Sequence, residues 1–60
     1  MIIRINESEG IVTLEWANHK EIYCFDKISC SEDTMAFFRK GLCLVEIPLA
    51  YGVRVYEGKR

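Results

Sequence analysis

The sequence predicts an α+β fold: a small antiparallel sheet of about four to five strands, in the order β-β-β-α-β-β, with one short helix packed on one face. Three observations predict it. Branched residues alternate with polar ones near the start of the chain. The segment from Ser29 to Gly41 opens with helix-capping residues and closes on a basic turn and a glycine. A nearly continuous apolar run, residues 42–47, follows directly.

Ile2, Ile3 and Ile5, interrupted by Arg4, form the opening strand. Residues 6–10 collect turn formers ending in Gly10 and predict a hairpin loop. In residues 11–16, Val12, Leu14 and Trp16 share one face, assigned to the core, and Ile11, Thr13 and Glu15 share the other. Residues 17–20 form a second turn. Residues 21–26 form a third strand, with Ile22 and Cys24 opposed to Tyr23 and Phe25. Both of its faces carry apolar groups, so one is expected to meet the helix and the other a partner.

The helix is read from Ser29 with Glu32 as a capping box, Ser31 being an alternative cap. Glu32 and Asp33 in the first turn and Arg39 and Lys40 in the last suit the helix dipole. Met35, Phe38 and Leu42 form its inward stripe, and Gly41 supplies the left-handed stop. A helix of about nine residues is not stable alone and depends on packing. The apolar run at 42–47 predicts the central strand, ended by Pro48. Residues 53–56 predict a last strand with Val53 and Val55 inward.

Sixty residues form one domain, residues 1–60, with no repeat or linker. At this size folding buries only about 60% of the chain's surface, so the 50% apolar content is needed for a core and leaves some over for an interface. Residues 1–30 carry three basic and five acidic groups, a balance of −2; residues 31–60 carry five and four, a balance of +1. Neither half has the basic footprint of a protein held to nucleic acid by phosphate contacts. No signal-peptide core and no run of about 20 apolar residues is present, so a cytoplasmic location is expected, with no membrane partner.

No constellation in the sequence carries catalysis, a cofactor or a metal. Cys24, Cys30 and Cys43 are an odd set, expected to be reduced and mostly buried. With the single His19 they lack the short paired spacing of a zinc site. His19 lies in a turn, with no third group to orient it for nucleophilic chemistry. Each glycine sits at a turn or an end, so there is no phosphate loop. The chain is accordingly expected not to be an enzyme.

The expected function is non-catalytic binding of another protein, as an inhibitor, adaptor or regulator, in the manner of small viral and accessory proteins. A homodimer is a further expectation. The surplus of large apolar side chains favours this class, because interface centres are rich in aromatic residues and arginine. Tyr23, Phe25, Tyr51, Arg54 and Tyr56 are the candidate contact residues. The alternative is single-stranded nucleic-acid binding on a sheet surface through Arg54, Tyr56, Lys59 and Arg60, with Tyr51 beside them.

Overall fold

Alternation of branched residues near the start of the chain does give strands. In the structure, a computed structural model describing residues 1–50 and 52–58, β1 (Ile2–Asn6) and β2 (Ile11–Glu15) pair antiparallel. Ile3 lies opposite Leu14 and Ile5 opposite Val12, and all four side chains are buried. The Asn6 side chain shapes the loop between them: its Oδ1 accepts from Ser8 Oγ at 2.9 Å and from the Glu9 N–H at 3.2 Å. Gly10 closes that loop at φ +68°, where a Cβ would stand 2.8 Å from the Phe25 carbonyl oxygen. β3 (Lys20–Cys24) pairs antiparallel with β2.

The third strand does not run on to Asp26 as predicted; the chain changes sheets there. The Phe25 N–H donates to the Gly10 carbonyl at 2.8 Å, in register with the first sheet. The next amide, that of Asp26, donates to the Phe38 carbonyl at 2.8 Å, in the second. β4 (Lys27–Cys30), β5 (Thr34–Arg39) and β6 (Leu42–Pro48) build that second sheet in the order β4-β5-β6, all antiparallel.

The expected helix between Ser29 and Gly41 is therefore replaced by a hairpin, and the α+β prediction is corrected. Among the described residues the fold is all-β, with seven strands in two sheets. The residues read as a helix cap make a turn instead, with the Ser31 N–H and Oγ donating to the Thr34 carbonyl at 2.8 and 3.3 Å and Glu32 and Asp33 at the tip. At the other end Lys40 and Gly41 both have positive φ, +53° and +82°. That pair of values makes a two-residue type I′ turn between β5 and β6. Gly41 is needed for its left-handed backbone, as predicted, but in a hairpin. The Asp26 carboxylate steadies the turn by accepting from the Lys40 N–H at 2.9 Å.

Strand geometry also re-sorts the apolar residues. Met35 and Phe37 point into the core, whereas Phe38 faces away opposite Lys27, and Leu42 is 71% exposed. β6 is an edge strand rather than the predicted central one, and only Val45 and Ile47 from it join the core. A β-bulge at Phe37/Phe38 interrupts its register with β5.

The chain then returns to the first sheet. The Leu49 N–H donates to the Asp33 carbonyl at 2.7 Å, and the Val53 N–H to the Ala50 carbonyl at 3.1 Å, with Gly52 at φ +94°. β7 (Arg54–Gly58) lies parallel to β1, starting from the Arg54 N–H on the Met1 carbonyl at 3.1 Å, and completes the order β3-β2-β1-β7. Val53 packs against the core, but Val55, although on the inward side, is 39% exposed.

The sheets meet through one apolar layer. Ile3, Ile5, Val12 and Leu14 come from the first, and Met35, Phe37 and Ile47 from the second. Phe37 is fully buried, and the Phe25 ring packs on it at 5.3 Å between centroids, tilted by 60°. The three cysteines, expected to be buried, are free and exposed. Cys24 lies on the outward side of β3 and Cys43 opposite outward-facing Phe38, so neither reaches the layer. Among the described residues no helix is long and apolar enough to cross a membrane.

Two consequences follow for stability. Phe37→Ala should cost about 3–5 kcal/mol, most of the several kcal/mol a domain this small possesses; loss of the cooperative thermal transition would show it. The β5–β6 turn should respond in opposite directions to two changes. Gly41→Ala should destabilise by about 1–2 kcal/mol, and Lys40→Asn should stabilise by roughly 0.5–1 kcal/mol, both measured by urea denaturation.

Candidate functional site

Pairing in the four-stranded sheet puts every second residue on its outer face, away from the core. The registers align these residues in three cross-strand rows. The middle row runs Ile22, Thr13, Arg4, Tyr56 from one edge to the other. One flanking row runs Cys24, Ile11, Asn6, Gly58, and the other runs Lys20, Glu15, Ile2, Arg54.

Arg4 is held from two sides on this face. Its Nε donates to Glu15 Oε2 at 2.9 Å, and its guanidinium lies 5.3 Å from the centroid of the Tyr56 ring. The ion pair is exposed and contributes little stability; its effect is to hold the guanidinium in one place above the sheet. The cation–π contact adds to that positioning. Beside this pair the surface dips into a shallow depression of about 350 Å3, lined by Arg4, Asn6, Ile11, Thr13, Tyr56 and Gly58 among others. Gly58 carries no side chain, which leaves the hollow open at the β7 edge.

A second depression of similar volume lies at the β2–β3 turn, lined by Glu15, Trp16, His19 and Lys20. The Trp16 N–H donates to the His19 carbonyl at 2.8 Å, and the two rings stack at 4.6 Å, only 6° from parallel. His19 Nε2 lies 3.5 Å from Glu21 Oε2. Glu21 also accepts from the Tyr23 hydroxyl at 2.8 Å. That hydrogen bond, together with partial burial and the nearby Glu21 charge, raises the Tyr23 phenol above its ordinary value of 10.

The candidate contact residues separate in the structure. Arg54 and Tyr56 are exposed on the outer face. Tyr23 and Phe25 are half-buried and pack against the core, so they offer less surface than Ile22, which is 60% exposed. Tyr51, Lys59 and Arg60 lie outside the described residues. Sequence reasoning passed over Arg4, Ile11 and Ile22 as surface groups, although the period-two pattern already placed Arg4 and Ile11 opposite the inward sets of their strands; Trp16, assigned to the core, is 39% exposed instead. Leu42 and Leu44 form a smaller exposed apolar spot on the β5–β6 hairpin.

The arrangement suits surface recognition. It offers a sheet face with a guanidinium held against an exposed tyrosine ring and branched aliphatic groups around them. Among the described residues no three His, Cys, Asp or Glu side chains gather as a metal site would need.

Glu21→Gln should lower the Tyr23 midpoint toward 10, read by ultraviolet titration in a Tyr51→Phe, Tyr56→Phe background. The neutral phenol is the bonded form, so the bond's contribution to stability is present below pH 10 and fades as pH rises through the raised midpoint. Compared with protein-family models, curated proteins and solved structures, the chain finds no match in any of the three.

Proposed function

We propose that this chain is a non-catalytic protein-binding module that occupies a partner's surface with the outer face of its four-stranded sheet. One observation carries the reading: Tyr56, Arg4 and Ile22 stand in a single exposed row across that face, with Arg4 held in place by Glu15 and Tyr56. Tyrosine and arginine dominate binding energy at protein interfaces, and an immobilised side chain loses little entropy on binding. Three exposed free thiols favour the reducing cytoplasm as its compartment.

A nucleic-acid reading draws on the same row, because bases stack on exposed tyrosine rings while arginine meets the phosphates. Lys20, Arg4 and Arg54 against Glu15 leave the face only mildly basic, which favours a protein.

The test is capture from cells that express the protein, with bound species identified by mass and compared across variants. Tyr56→Ala and Arg4→Ala should each weaken capture of a defined protein about tenfold or more, and Leu42→Ala should leave it unchanged. Equal capture by all variants would contradict the choice of face. Capture abolished by nuclease, with steep loss on adding salt, would replace the protein reading by the nucleic-acid one.

A further inference from the structure

We propose that β3 is a self-association edge, joining two copies of this chain through antiparallel pairing centred on Ile22. Hydrogen bonding at either end of the strand fixes which backbone groups are free. The Trp16 N–H bonds to His19 and the Phe25 N–H to Gly10. Both contacts continue the register that sets Leu14 opposite Glu21 and Val12 opposite Tyr23. In an antiparallel ladder bonded and non-bonded pairs alternate, so Glu21 and Tyr23 direct their backbone groups to β2. Lys20, Ile22 and Cys24 direct theirs to the open side, where among the described residues no strand pairs.

The other edges carry features that discourage pairing. β6 has a bulge in its register and ends at Pro48. β7 turns an exposed Glu57 toward the inner side and ends at Gly58. β4 has only four residues. β3 has five, without proline, glycine or bulge, and its central Ile22 side chain is 60% exposed.

A two-fold axis pairs identical edges antiparallel and makes the contact self-complementary. Free groups meet free groups only where residues 20, 22 and 24 oppose one another. Setting Lys20 against Ile22 of the second copy would place Glu21 against Glu21, a repulsive pair. Setting Ile22 against Cys24 would send Lys20 toward Asp26, where the chain has already left the sheet. The register that opposes all three free positions sets Ile22 against Ile22 and Lys20 against Cys24, so each open N–H and C=O from Lys20 to Cys24 finds a partner. Glu21 then faces Tyr23 of the second copy, the acceptor and donor types that already bond within the chain at 2.8 Å. No like charges oppose.

This pairing fuses two four-stranded sheets into one and joins the two Ile22, Thr13, Arg4, Tyr56 rows end to end at Ile22. It goes beyond partner binding and is independent of it, since purified protein alone is measured. A single short strand pair buries less than a standard interface, so dimer should accumulate over about 0.1–1 mM.

Sedimentation equilibrium across that range should show a reversible dimer, weakened at least about tenfold by Ile22→Lys, with circular dichroism confirming that the variant folds. A second arm holds even if that variant unfolds. In a Cys24→Ser, Cys30→Ser, Cys43→Ser background, Ile22→Cys should form an intermolecular disulfide with oxidised glutathione. Opposed positions lie about 5.5 Å apart between Cα atoms, within disulfide reach. Glu21→Cys and Leu42→Cys should cross-link far more slowly. A monomer throughout the range, a dimer indifferent to a folded Ile22→Lys, or equal cross-linking at all three positions would overturn the proposal.

Discussion

Everything else in this structure depends on the apolar layer where the two sheets cover each other. A four-stranded and a three-stranded sheet are each too small to shield their own inner faces. Ile3, Ile5, Val12 and Leu14 therefore need Met35, Phe37 and Ile47, and the reverse holds equally. That requirement dictates the path of the chain. It must cross between sheets without orphaning backbone groups, and successive amides at Phe25 and Asp26 do so by bonding one to each sheet. It must also come back, and β7 returns along the free edge of β1, parallel to it.

The same constraint separates what the sequence discloses from what it conceals. The first two strands are legible because their alternation is unambiguous and their loop uses Asn6 and Gly10; the third is legible as a strand but not in its end or its facing. Residues 29–42 are not, because they satisfy two local grammars at once. A serine followed three residues later by glutamate is a helix cap and also a turn. Met35, Phe38 and Leu42 fit a helical stripe, while Met35 and Phe37 fit the alternation of a strand. A short helix has little stability of its own, and pairing with β6 across the Lys40–Gly41 turn outweighs it. The sidedness of Tyr23 and Phe25 was concealed for a related reason. Alternation fixes that they oppose Ile22 and Cys24, but only the second sheet decides which pair is covered.

Arg54 and Tyr56 were legible as surface groups because they belong to a simple alternating strand. Arg4 was legible as an outward residue but not as part of a site, since its importance comes from contacts with Glu15 on one neighbouring strand and Tyr56 on the other. Such a grouping exists only once the register is known. The proposed role in recognition rests on this outer face, and the proposed self-association on the edge beside it. The inner face, saturated by the core, is left free of either task.

What distinguishes this fold from the expected one is that residues 34–39 form a strand between β4 and β6 and carry Phe37 into the layer between the sheets. Nuclear Overhauser spectroscopy of the labelled protein tests it most directly. Cross-strand backbone contacts between Phe37 and Val45 and between Met35 and Ile47 are expected, with weak sequential amide contacts along residues 34–39. Strong sequential amide contacts through residues 32–40, without those cross-strand contacts, would establish a helix and contradict it.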